Sequence, residues 1–173
     1  MLQVEIVQDQ TAKRQRRGRP PKIEGGGTTK ARLIHAGLAL MTEKGFSSTG
    51  LEDVLSQVGV PKGSFYYYFD SKEAFGKVLI EEYGLYFSKM LDECFLDESY
   101  APLVRFENLI TKLRNNMIKY DFQRGCLIGN LGQEMMVIPA SFRQQLIDVF
   151  YDWQQRTSLL FEKAKTAGEL LQS

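Results

Sequence analysis

Side chains that bind metals or attack substrates are scarce in this chain. It holds one histidine, His35, and two cysteines, Cys94 and Cys126, with no CxxC and no HExxH. That excludes the common zinc arrangements, so no metal is expected. His35 has no partner base or nucleophile in view that would make it a catalyst. The glycines at Gly25 to Gly27 lack the Lys-Ser/Thr that completes a phosphate-cradling loop, and no carboxylate pair is spaced for acid–base work. An enzyme is therefore the remote reading, and no cofactor is expected. There is no 18-residue apolar run and no secretory signal, which argues against a membrane partner and, with so few cysteines, for a reducing, cytoplasmic compartment. Five prolines and little two-residue alternation leave strands without a pattern and favour an all-α fold.

What the chain does have is a core's worth of apolar residues, 43% of the total, and an uneven charge. The net +1 hides a division: residues 1–72 carry 11 Lys/Arg against 7 Asp/Glu, and residues 73–173 carry 11 against 14. The positive half is the one suited to a polyanion. The basic run KRQRRGRPPK, Lys13 to Lys22, lies in a stretch without helical periodicity, and residues 1–28 read as a disordered basic arm. Within it Arg17-Gly18-Arg19-Pro20 resembles an AT-hook, in which two arginines, here Arg17 and Arg19, lie along the narrow minor groove of A·T-rich DNA. A solvated basic tail is the plain alternative.

Thr28 or Thr29 can cap a helix whose apolar positions are Ala31, Ile34, Leu38 and Met41 and which Gly45 ends. Next, Leu51, Val54, Leu55 and Val58 repeat at i, i+3, i+4 and i+7, with Thr49 and Glu52 as a capping box. Gly59 suits a left-handed helix end and Pro61 the first turn of a new helix, so the stretch reads as a helix-turn-helix. In the second helix Phe65 and Phe69 are spaced as buried anchors, while Lys62, Gly63, Ser64, Tyr66 and Tyr67 combine charge, close approach and hydroxyls suited to a DNA groove. Lys72 follows at the start of a further helix, where an anion is favoured.

The run GVPKGSFYYYFDSKEAF, Gly59 to Phe75, resembles the signature of TetR-type transcriptional repressors. The resemblance implies that Lys62, Gly63, Ser64, Tyr66, Tyr67 and Lys72 contact double-stranded operator DNA, with Thr49 at a phosphate. It also implies an N-terminal helix-turn-helix lobe over residues 29–72, a helical effector-binding lobe over residues 73–173, a small-molecule effector and a homodimer.

In the second lobe, Asp70 and Glu73 make a capping box for a long helix with Phe75, Val78, Leu79, Tyr83, Tyr86, Phe87, Met90 and Leu91 in one stripe. A helix with Leu103, Phe106, Ile110, Leu113, Met117 and Tyr120 follows. Ser141 and Gln144 cap a last one carrying Phe142, Leu146, Val149, Phe150, Trp153, Thr157, Leu160 and Phe161. Between them RGCLIGNLGQEM, Arg124 to Met135, is punctuated by Gly125, Gly129 and Gly132, which calls for a closely packed neighbour or for space kept for a ligand. This segment resembles the acrylate-utilisation regulators and, more distantly, the repressors of N-ethylmaleimide reductase. The resemblance implies a small acid or electrophile as effector, with Cys126 as the sensing thiol; packing as a small hydrophobe is the alternative for that residue. Trp153 could wall a pocket, with Asn130 or Gln133 as its polar handle.

Repressors of this type continue with about two more helices that build the dimer's four-helix bundle, and none is read before Ser173. A non-inducible DNA-binding or interfering subunit therefore stands as the second reading.

Overall fold

A computed structural model describes residues 27–171. The basic arm, with Arg17 and Arg19, lies outside the described residues. Those residues form seven α-helices and one 3-10 turn, with no strand among them: α1 Thr29–Lys44, α2 Leu51–Val58, α3 Lys62–Tyr66, α4 Lys72–Phe95, α5 Pro102–Lys119, α6 Leu127–Gln133, the 3-10 turn Ala140–Phe142 and α7 Arg143–Thr166.

Helix starts depart from the sequence reading where tertiary contacts claim the capping groups. The Thr28 hydroxyl accepts from the Ala31 amide and starts α1 as expected. Thr49, in contrast, donates its hydroxyl to the Gly45 carbonyl at 2.6 Å, so α2 starts one residue later, with the Gly50 amide donating to the Asp53 carboxylate. At α4 the cap is Ser71, whose hydroxyl accepts from the Ala74 amide, and Glu73 instead accepts from Ser141. With Ser141 so engaged, the chain enters α7 through the 3-10 turn and not through a capping box.

The main core joins α1, α2, α3 and the first half of α4 to α6 and the start of α7. Leu33, Val54, Phe65, Phe75, Leu79, Leu127, Ile128, Leu131, Phe142 and Leu146 are all buried in it. The apolar packing therefore runs across residue 72 without a break. A second cluster, Met90, Leu91, Cys94, Phe95, Leu109 and Leu160, closes the far end of α4 against α5 and α7, and Trp153 packs against both. Two glycines of α4 or its neighbour allow close approach in the main core. A Cβ on Gly76 would stand 2.5 Å from the Phe142 ring and one on Gly37 2.5 Å from Phe75.

The expected faces of the outer helices are only partly buried. Ile110 and Met117 of α5 are exposed, because α5 turns Arg105 and Leu109 inward. The Arg105 guanidinium donates to the Phe95 and Tyr100 carbonyls, at the C-terminal end of α4 where positive charge is favoured. Tyr86 of α4 and Phe150 of α7 likewise face outward.

Candidate DNA-binding interface and its regulatory contacts

The helix-turn-helix is built from its glycine outward. Gly59 adopts φ 69° and ψ 39°, the left-handed conformation, and its amide and that of Val60 both donate to the Leu55 carbonyl. From α1, Arg32 donates to the Val58 carbonyl at 2.6 Å and so tethers the same helix end. Pro61 then precedes a single five-residue turn of helix, α3. Phe65 is fully buried and Phe69 nearly so, and their rings pack with Phe75 in tilted and edge-on pairs, with centroids 5.3 Å apart for Phe65–Phe69, 4.7 Å for Phe69–Phe75 and 5.2 Å for Phe65–Phe75.

With those anchors inward, the other residues of α3 point out. Tyr66 is 49% and Tyr67 81% exposed. Lys62 and Gly63 are exposed and Ser64 is half-buried, and nothing lies within 4 Å of where a Gly63 Cβ would be. Lys62 is held only loosely, 3.6 Å from Glu52. The result is a small surface with one mobile cation, two phenol hydroxyls and an unobstructed backbone.

Two residues read from the sequence as DNA contacts are engaged within the protein. Thr49 is 1% exposed, and its only hydroxyl proton goes to Gly45. Its side chain is therefore not presented to a phosphate in this structure, because the α1–α2 turn uses it to satisfy a carbonyl. The Lys72 amine donates to the Phe46 carbonyl at 2.9 Å and lies 4.4 Å from the centre of the Phe46 ring. Burial holds its pKa below the usual lysine value, offset in part by Glu134 and Asp53.

The same turn is gripped from the other lobe, by residues for which the sequence suggested other roles or none. Arg124 pairs with Glu43 at 2.9 Å, and the Gly125 amide donates to the Thr42 carbonyl at 2.9 Å. Asn130 donates to the Met41 and Thr42 carbonyls, and the Glu134 carboxylate accepts from both the amide and the hydroxyl of Ser47, at 3.0 and 2.9 Å. Gly125 and Asn130 thus supply donors to the C-terminal end of α1, where a helix leaves four carbonyls without intrahelical partners, while Glu134 holds the turn that follows. Glu134 is visible in RGCLIGNLGQEM only as one polar residue among several, and nothing in the spacing marks its partner 87 residues away.

The candidate effector residues do not form one site. Asn130 is spent on α1, and Gln133 is exposed beside Glu43 and Lys44, where both line a polar recess of about 230 Å³ with Asn130. Cys126 is half-buried and its sulfur caps α6, accepting from the Gly129 amide at 3.5 Å. It also neighbours Tyr83, whose hydroxyl is pushed well above the usual tyrosine range by burial first and by the thiol second. Trp153 stacks on Phe87 at 4.0 Å, and its indole N–H is buried without an acceptor. Tyr83 and Phe87 stack on each other, so the two candidates are linked through α4 and not by direct contact. No other helix supplies the close neighbour at these glycines: the nearest atoms to Gly129 and Gly125 are those of Cys126 and Asn130 of the same segment, while Gly132 has open space, with nothing within 4 Å. A groove of about 470 Å³, open to solvent, lies instead between α4 and α7, with Gly84, Val149, Asp152 and Arg156 among its lining residues.

Comparison with known proteins places this architecture. Residues 33–76 match the family described as bacterial regulatory proteins, tetR family, and residues 102–173 match the tetracyclin repressor-like C-terminal domain. The transcriptional regulator AcuR of Cereibacter sphaeroides is 48% identical over 155 residues, which is 90% of this chain and 71% of that protein. The HTH-type transcriptional repressor NemR of Escherichia coli (strain K12) is 30% identical over 68% of this chain, but the match spans only 59% of NemR. Among solved structures, the regulatory protein TetR from Rhodobacter sphaeroides shares the fold with a TM-score of 0.82 at 48% identity, over 84% of this chain and 77% of that one. The reduced form of E. coli NemR does so with a TM-score of 0.73 at 27% identity, over 80% and 72%. The helix-turn-helix, the helical second lobe and these matches agree, and the chain belongs to the TetR family of DNA-binding transcriptional regulators and is not an enzyme.

Proposed function

We propose that this regulator is a repressor that grips double-stranded operator DNA as a homodimer and lets go when a small acid or electrophile such as acrylate occupies its second lobe. The observation that carries the DNA part is the outward face of α3: Lys62, Tyr66 and Tyr67 are exposed on a turn that Phe65 and Phe69 anchor in the core. A phenol and an ammonium there suit phosphate oxygens and base edges, and Gly63 leaves the backbone free to approach the duplex. Two copies would have to hold their α3 turns about 34 Å apart to enter successive major grooves.

A duplex selected from a random-sequence library by the wild-type chain serves as the probe. Lys62→Ala and Tyr66→Phe should each weaken binding to it by about 1–3 kcal/mol, with unchanged thermal unfolding. Full affinity in both variants would sink the assignment.

The effector part rests on the segment around Cys126 and on the contact of that thiol with Tyr83 of α4. Helix α4 has 24 residues and Tyr83 lies at its middle, about 17 Å from Lys72, so a displacement there is carried along the first half of the helix to the helix-turn-helix. To move a bound fraction from 99:1 to 1:99, the effector must favour the released state by about 5.5 kcal/mol. Acrylate and N-ethylmaleimide separate two modes. If the thiol adds to the activated double bond, the sulfur–carbon bond forms, the proton passes to the neighbouring carbon, and Cys126→Ser no longer releases DNA. If the acid is held noncovalently, Cys126→Ser releases with acrylate as the wild type does.

The apolar residues exposed on α5 and α7, among them Ile110, Met117, Ile118, Tyr151 and Leu159, support an assembly larger than one chain. The second reading is a non-inducible or interfering subunit. Light scattering distinguishes the two: a monomer that binds DNA and ignores both probes is the interfering subunit.

A further inference from the structure

The α1–α2 turn meets both α4 and α6, and most of its polar backbone groups have named partners. The Gly45 amide donates to Met41 and the Gly45 carbonyl accepts from Thr49. The Phe46 carbonyl accepts from Lys72, and the Ser47 amide, with the Ser47 hydroxyl, donates to Glu134. The turn is thus held from one side by the first residue of α4 and from the other by the residue that ends α6. The fit is close. Gly45 has φ 81°, and a Cβ there would lie 1.7 Å from the Glu134 Oε1 atom, so only glycine admits this carboxylate. Helix α6 spans seven residues, about 10 Å, from its sulfur cap at Cys126 to Glu134. A shift of α6 at the Tyr83 end therefore has a direct outlet onto the turn that sets where α2 and α3 stand.

We propose that Glu134 is a positioning residue for operator binding: from the end of α6 it holds Ser47, fixes the α1–α2 turn, and so makes the presentation of α3 depend on where α6 sits. This rests on the reading of the chain as an operator-binding regulator. Glu134 acts through Ser47 and touches no base or phosphate.

The sign of the effect separates positioning from simple charge. Removing a carboxylate anywhere near DNA should tighten binding, since it lowers repulsion of the phosphates. Loss of a positioning contact should weaken it. The test measures affinity for the selected duplex, and for a scrambled duplex, with wild type, Glu134→Ala, Glu134→Gln, Ser47→Ala and the double Ser47→Ala/Glu134→Ala variant, at a temperature where melting curves show every variant folded. Glu134→Ala is expected to lose about fivefold or more, the low end of usual coupling between sites. Glu134→Gln, which keeps an acceptor oxygen for Ser47, should recover most of that loss. The double variant should be little worse than Glu134→Ala alone, because Ser47→Ala removes only the hydroxyl half of a contact that Glu134→Ala removes whole. Affinity for the scrambled duplex should not fall, because no phosphate contact is lost and a negative charge is removed.

Equal or tighter binding by Glu134→Ala overturns the proposal, as does additivity of the two substitutions or failure of glutamine to rescue. A wild-type chain that does not prefer its selected duplex over the scrambled one would instead remove the operator-binding reading on which the proposal rests. Should Glu134→Ala not fold, Ser47→Ala against Glu134→Gln carries the same comparison.

Discussion

At Gly76, one missing carbon decides whether α4 can lie against the start of α7. A Cβ would meet the Phe142 ring at 2.5 Å and Phe46 at 2.8 Å, both buried rings with no free direction in which to yield. Gly76→Ala is expected to lower unfolding free energy by about 1–3 kcal/mol, the usual cost of overpacking. Gly132 shows the opposite case in α6: with nothing within 4 Å, Gly132→Ala should raise stability by about 0.4–1 kcal/mol through the unfolded chain. Urea midpoints that shift in opposite directions would confirm both; a stabilised Gly76→Ala would refute the packing account. Other single residues owe their roles to what they touch. Thr49 carries a hydroxyl of the type that bonds phosphates, yet spends it on a carbonyl. The sole tryptophan keeps a buried N–H without a partner, which leaves a free donor between the two apolar clusters.

Helices α2 and α3 were the most legible elements. Their i, i+3, i+4 and i+7 pattern, the breaker at Gly59 and the four-residue spacing of Phe65 and Phe69 are local properties, and the structure buries Val54, Leu55, Val58, Phe65 and Phe69 as read, with Leu51 half-buried. Longer helices were legible in extent but less so in face. In α5, apolar residues cover more of the circumference than α4 and α7 can bury, so periodicity could not tell that Leu109 faces in and Ile110 out. Arg105 would have been placed outside on its charge, but it is buried because two carbonyls at the end of α4 and its loop receive it. The three expected capping boxes fail for one reason: Thr49, Glu73 and Ser141 each find a partner in another segment or in the preceding helix end.

On the scale of the whole molecule, the charge division sets the expected response to salt. Residues 1–72 carry the cationic excess, and a large part of it sits in the arm between Lys13 and Lys22, outside the described residues. Deleting residues 13–22 should reduce the salt slope of operator binding by about 0.9 for each phosphate contact removed. An unchanged slope would make the arm a bystander to binding. The two lobes are not independent bodies in this picture, since one core passes from α1 through α4 to α6 and α7. An effector bound on one side of that core acts on a continuous solid, and both α4 and the Glu134 contact lie on its path.

From sequence alone came the all-α class, the helix-turn-helix and the outward set Lys62, Gly63, Ser64, Tyr66 and Tyr67, because helical period, turn glycine and anchor spacing are fixed over a few residues. Only the tertiary structure decided that Thr49 and Lys72 face inward, that Asn130 caps α1 while Glu134 holds Ser47, and that Cys126 and Trp153 are separate places along α4. Those assignments pair groups as many as 89 residues apart, and which distant carbonyl or ring a side chain meets is set by how the helices stack, which no local pattern encodes.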